Sequence, residues 1–230
     1  MRTRQEIAAT IDHSALKAEL TDKDIREAAE LGKKFRTASV CVRPSDVALV
    51  AEILQGTGVK TCMVVGFPHG AHRPEVKALE ARLGMQDGAE ELDMVMNIGK
   101  FLSGDYAWVR RDIEAVVAEA KKFPGVLVKV ILETGYLAPE GVAKACQIAR
   151  DAGADFVKTS TGFGAGSATP EVIDIMVKTV GQVMGVKASG GVRDYRSACA
   201  FLDRGCTRLG TAGGTAVIMG EAPEDNAGAY

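Results

Sequence analysis

Short apolar runs alternate with amphipathic stretches along the whole chain. The runs at 9–12, 39–42, 60–65, 92–97, 127–132, 156–159, 185–188 and 208–210 are rich in β-branched residues or alternate polar with apolar, and they predict eight strands. The stretches between them place apolar residues at helical spacing. TDKDIREAAELGKKF opens on Thr21 with Asp24 three positions later, an N-cap with an acidic partner; PEGVAKACQIARDAGAD opens on Pro139, which suits a first helical turn, and reaches Gly153, which suits a C-cap. Strand and helix in strict alternation predict a parallel sheet covered by helices, and eight such units predict an α/β fold of the (β/α)8 TIM-barrel kind.

A weak internal repeat agrees with eight units. Val157–Gly162, VKTSTG, echoes Val186–Gly191, VKASGG, at an offset of 29; Lys129 precedes Lys158 by 29, and Asp12 precedes Cys41 by 29. One eighth of 230 residues is about 29, so these side chains are expected at similar heights on different strands. A doubly wound open sheet would alternate similarly but usually carries a glycine-rich turn after its first strand, and Asp12-His13-Ser14-Ala15 is not one. The expected organisation is one barrel domain over 1–220 and a mobile polar tail over 221–230.

Composition narrows the partners. Hydrophobic residues make up 47% and charged residues 25%, an ordinary globular balance, and a net charge of −2 with no basic run offers nothing to a nucleic acid or an anionic membrane. Apolar runs stay far below the ~18 residues that span a bilayer, and the first residues lack the apolar core of a secretion signal. Five cysteines without CxxC spacing predict reduced thiols in a cytoplasmic protein.

The chemistry lies in the strands. In LVKVIL, FVKTS and GVKAS the two-residue period turns Lys129, Lys158 and Lys187 away from the valines beside them. If the valines meet the helices, the lysines meet the barrel interior, and the same alternation in ELDMVMN sends Asp93, Val95 and Asn97 inward. A structural ion-pair network is one reading of such a cluster. Three lysines facing one obvious carboxylate favour another, because desolvation and like-charge repulsion ease the loss of a proton, and a neutral lysine forms Schiff bases with aldehydes and ketones. Glycines follow the last strands: Thr161-Gly162, Gly190-Gly191, and Gly210 with Thr211, Gly213 and Gly214, where barrel enzymes commonly bind phosphate. Tight turns need glycine as well, so position is what gives these weight. Cys41 ends a strand and either faces a ligand or packs as a small hydrophobe. His13, His69 and His72 lack metal-ligand spacing, and neither a metal nor another cofactor is expected.

Five motifs carry a family resemblance: VVGFPHGAHRPEVKALEA at 64–81, ELDMVMNIGKFLSGDY at 91–106, VKVILETGYL at 128–137, AGADFVKTSTGF at 152–163 and VKASGGVRD at 186–194. Over nearly its whole length the chain resembles the 2-deoxy-D-ribose-5-phosphate aldolases. The resemblance implies a metal-free class I aldolase that splits 2-deoxy-D-ribose 5-phosphate reversibly into D-glyceraldehyde 3-phosphate and acetaldehyde, in deoxyribonucleoside catabolism. Its small-molecule partners are thus a phosphorylated sugar and acetaldehyde, and a homodimer or higher homo-oligomer is left open. It also implies that Lys158 is the Schiff-base lysine, that Lys187 is the second lysine easing loss of its proton, and that Asp93 works with Lys187 and a water in proton relay. Asp12 and Lys129 match further polar residues of the site; Gly162, Gly190, Gly191 and Gly210 match the phosphate-binding positions, and Tyr230 matches a terminal tyrosine used in proton transfer. Two positions depart: Ala212 and Gly213 stand where relatives often carry serines, which removes hydroxyl contacts to phosphate while backbone amides remain.

Overall fold

The computed structural model describes residues 2–223. Eight parallel strands close into a barrel in sequence order: β1 (Ile11–Ala15), β2 (Ser39–Val42), β3 (Lys60–Val65), β4 (Glu91–Val95), β5 (Leu127–Ile131), β6 (Phe156–Lys158), β7 (Gly185–Ser189) and β8 (Arg208–Thr211). The ring shuts where Asp12 of β1 pairs with Gly210 of β8. All eight expected strands are present, with shifted ends. The largest shift is in β1, which starts at Ile11 because Ala9 caps a short helix, Arg4–Ala8, opened by a Thr3–Glu6 capping box. The helix Asp22–Phe35 starts as expected: the Asp24 carboxylate accepts from the Thr21 backbone N–H and hydroxyl. Pro139 begins the helix Pro139–Asp151, and Gly153 takes the left-handed turn (φ +84°) just after it.

The alternation divides the strands as predicted. Val128, Val157 and Val186 join Met63, Leu92 and Met94 in the large apolar core between barrel and helices, while Lys129, Lys158 and Lys187 are buried inside the barrel. A second, small apolar cluster of Leu16, Cys41, Cys62 and Val64, with Phe67 against it, is separate from that core. Closing a barrel this way gives every backbone polar group of the strands a partner and leaves no free sheet edge.

One buried ion pair braces the strand that carries Asp93. Lys77, from the helix Pro74–Gln86, lies 2.6 Å from Asp112 of the helix Tyr106–Ala120 and donates to the Val95 carbonyl at 2.8 Å; the Asn97 N–H donates to Asp112 at 3.2 Å. Both helices are thereby fixed to the end of β4. The expected tail leaves the described residues after 223, and Tyr230 lies outside them. No described helix is long and apolar enough to cross a membrane.

The Pro74–Gln86 helix also touches β3 where it has no side chain: a Cβ on Gly84 would lie 1.8 Å from Met63 Sδ. Gly84→Ala should therefore destabilise the fold by about 1–3 kcal/mol despite the better helix propensity of alanine, read from the midpoint of urea unfolding. A stabilised variant would contradict this packing.

Candidate active site

The site forms where inward-facing positions of five strands meet. Asp93 stands at its centre. Its Oδ2 accepts from Lys158 Nζ and Lys187 Nζ, each at 2.7 Å, and its Oδ1 accepts from Lys129 Nζ at 2.7 Å and Cys62 Sγ at 3.3 Å. The three lysines and the aspartate that the alternation brought together are thus in direct contact, and Lys158 is the last residue of its strand, at the C-terminal mouth where barrel enzymes do chemistry.

The expected excess of positive charge is smaller than the sequence implied. Asp12 pairs with Lys187 and lies 3.3 Å from Lys129; Glu91 lies 2.7 Å from Lys129; Arg208 reaches Asp12 at 2.6 Å and Glu91 at 3.0 Å. The interior therefore holds four cations (Lys129, Lys158, Lys187 and Arg208) against three carboxylates (Asp12, Glu91 and Asp93), not three lysines against one. Glu91 and Arg208 do not stand among the candidates read from the sequence, yet each sits two residues from an inward position, Asp93 and Gly210, so the same alternation points to them. The Arg208 guanidinium packs over the Phe156 ring, 5.6 Å from its centroid.

Electrostatics within this network run one way. Burial alone would raise the carboxyl of Asp93, but Lys129, then Lys158 and Lys187, outweigh it and hold it well below the usual carboxylate range. Asp12 behaves likewise under Lys129, Lys187 and Arg208. Burial pulls Lys187 and Lys129 down, and their carboxylates more than reverse it, so both are held above the usual lysine range and remain charged. Lys187 contacts two carboxylates; Lys158 contacts Asp93 only.

The other expected residues divide. Cys41 is buried in the barrel, its Sγ within 4.8 Å of both Cys62 Sγ and an Asp93 oxygen. Cys41, Cys62 and Asp93 have the spacing of a three-ligand metal site, but the Lys129 ammonium already stands 3.3 Å from Cys62 Sγ and 2.7 Å from Asp93. Among the described residues no such group includes a histidine. Gly162, Gly190 and Gly191 follow β6 and β7 with φ of +86°, +81° and +83°, conformations open to glycine that turn backbone amides at these loops. Gly210 is a close approach: a Cβ there would meet Ser189 Oγ at 2.6 Å and Lys187 Cε at 3.1 Å. The Thr211 hydroxyl donates to the Val192 carbonyl, and Thr161 is held by Glu133. The buried hydroxyls of Ser14, Ser160 and Ser189, each two residues beyond Asp12, Lys158 and Lys187, have no hydrogen-bond partner among the described residues.

In this parallel eight-stranded barrel three interior lysines converge on one carboxylate at the mouth. The chain belongs to the DeoC/LacD family of aldolases, whose sequence model matches residues 7–220. It is 50% identical to a deoxyribose-phosphate aldolase of Geobacillus sp. strain WCH70 over 96% of this chain and 98% of that one. It is 51% identical to another of Streptococcus sanguinis over 92% and 94%. Among solved structures, a putative deoxyribose-phosphate aldolase from Coccidioides immitis superposes with a TM-score of 0.90 at 36% identity, covering 95% of this chain and 87% of that one. A tetrameric deoxyribose phosphate aldolase from Aeropyrum pernix gives 0.87 at 31%, covering 94% and 91%.

His13 supports the last loop from behind. It is buried, its Nδ1 lies 2.9 Å from the Thr215 hydroxyl, and burial pushes its imidazole down to about 4, against a hydrogen bond to the Ala212 backbone that raises it. Because the unfolded chain takes up the proton near pH 6.5 and the folded one only near 4, the neutral ring's contribution is full above pH ~6.5 and is lost as pH falls toward 4. His13→Gln should remove roughly 3 kcal/mol of this acid-side loss, measured by urea unfolding at pH 7 and pH 4. An unchanged difference between the two pH values would contradict it.

Proposed function

We propose that this protein is a deoxyribose-phosphate aldolase that cleaves 2-deoxy-D-ribose 5-phosphate reversibly through a Schiff base on Lys158. The observation that carries the reading is the shared oxygen: Lys158 and Lys187 both stand 2.7 Å from Asp93 Oδ2. Two ammonium groups on one oxygen repel each other, and Lys187 is held charged by a second carboxylate, Asp12. Lys158, with a single carboxylate contact, is the amine that attacks the carbonyl.

Lys158 Nζ adds to C1 of the open-chain sugar, and water leaves the carbinolamine to give an iminium. Asp93, acting through a water, takes the proton of the C3 hydroxyl while the C2–C3 bond breaks; its electrons pass into the iminium, releasing D-glyceraldehyde 3-phosphate and leaving an enamine. A proton returns to C2, from the Asp93–Lys187 relay or from Tyr230, and hydrolysis frees acetaldehyde and Lys158. The orphaned hydroxyls of Ser14, Ser160 and Ser189 offer hydrogen bonds to the sugar's oxygens. Amides at Gly162, Gly190, Gly191 and Gly210 receive the phosphate, with no side-chain hydroxyl at Ala212 or Gly213 to help. The free cysteines support a cytoplasmic location, and the tetrameric relative supports a homo-oligomer.

Borohydride reduction with acetaldehyde, followed by peptide mass mapping, tests the assignment. The expected result is one stable ethyl adduct, on Lys158, absent from Lys158→Met; an adduct confined to Lys129 or Lys187, or none, would overturn it. With Lys187→Leu the activity profile should move to higher pH, since the permanent cation beside Lys158 is gone; an unmoved profile would show that Lys187 does not tune its neighbour.

A further inference from the structure

Beyond the lysine cluster, one buried carboxylate is left without a role: Glu133, at the end of β5. It is only 1% exposed and meets no cation within ion-pairing distance among the described residues. Burial raises its carboxyl above the usual range, and the Thr161 contacts and the more distant charge of Lys158 that oppose this are weaker. Its backbone is in the left-handed region at φ +52°, a conformation that costs an L-residue and persists where the surroundings hold it.

The strain has a visible origin. Leu132 N–H donates to the Lys158 carbonyl at 2.9 Å and Thr134 N–H to the Thr159 carbonyl at 3.0 Å, so two steps on one chain match one step on the other. Glu133 is the extra residue of this bulge. The bulge aims its carboxylate at the loop after β6, where Oε2 accepts from the Thr161 N–H at 3.2 Å and from the Thr161 hydroxyl. The hydroxyl oxygen accepts in turn from Phe163 N–H at 3.0 Å, which spans Gly162. Two glycines allow the approach: a Cβ on Gly164 would lie 2.8 Å from Glu133 Oε2, and one on Gly135 would lie 1.5 Å from the Ala165 carbonyl oxygen.

We infer that Glu133 is a positioning residue, whose carboxylate fixes the Thr161–Gly162 turn beside Lys158 and thereby sets the enzyme's hold on the phosphate end of its substrate. The inference rests on the function proposed above. A charged acceptor is used because one group must hold an amide and a hydroxyl at once, and charge-assisted bonds are the stronger kind. The carboxylate acts on Gly162 through Thr161 and has no part in bond making.

Kinetics of Glu133→Ala and Glu133→Gln on 2-deoxyribose 5-phosphate and on unphosphorylated 2-deoxyribose test this, with borohydride trapping of acetaldehyde on Lys158 alongside. With Glu133→Ala, KM for the phosphorylated sugar should rise by about 10-fold or more, while KM for plain deoxyribose and the trapping rate shift by less than about 2-fold. Glu133→Gln keeps an acceptor oxygen and should recover to within about 3-fold of wild type. Equal losses on both sugars, or an unchanged KM for the phosphorylated one in both variants, would overturn the positioning role while leaving Lys158 in place. A wild-type protein that forms no Lys158 adduct would instead defeat the aldolase reading, and this inference with it.

Discussion

The Asp93 carboxylate accepts from three lysines at once, and the interior of the barrel is arranged around that arrangement. Removing a carboxylate from water is costly, and so is removing an ammonium; each is tolerated here because the other is present. The network continues downward to Asp12, Glu91 and Arg208, so the charges at the mouth rest on further charges beneath them. Its consequence is asymmetry between two lysines that share an oxygen. Lys187 is tied to Asp12 as well, whereas Lys158, at the strand end, is tied only to Asp93. A fold that needs its ion pairs to stay closed has left one amine, Lys158, with the fewest partners, at the end of its strand.

The scaffold explains how such a cluster is held. β4 carries Asp93 and ends against the Lys77–Asp112 pair, which joins two outer helices to the Val95 carbonyl. His13, facing away from the interior beside Asp12, joins β1 to the last helix through Thr215. Polar contacts behind the barrel wall thus fix the strands whose inner faces carry the lysines and Asp93, in keeping with rigid elements supporting a precise site.

Much of this was legible in the chain. The two-residue period, which follows from backbone geometry, located Asp93, Lys129, Lys158 and Lys187 on inner faces, and eight alternating strand–helix units, with a weak 29-residue repeat in agreement, predicted the barrel. Less legible were the partners. Glu91 and Arg208 obey the same period, but one charged residue at a strand's start is indistinguishable from a solvated end until neighbouring strands are placed. Glu133 could not be read at all: its position depends on a bulge, and nothing in ILETG announces a left-handed glutamate. The first strand begins two residues later than its apolar run suggests, because Thr3 and Glu6 form a capping box over a helix too short for periodicity to reveal.

Beyond gathering the lysines, Asp93 is proposed to work in the relay that returns a proton to the carbon next to the Schiff base, in preference to Tyr230. The most direct test of this role is exchange of the methyl protons of acetaldehyde in deuterium oxide, followed by proton NMR, for the wild-type protein and Asp93→Asn. Rapid exchange is expected in the first and a loss of about 100-fold or more in the second. Exchange in Asp93→Asn at the wild-type rate would contradict it.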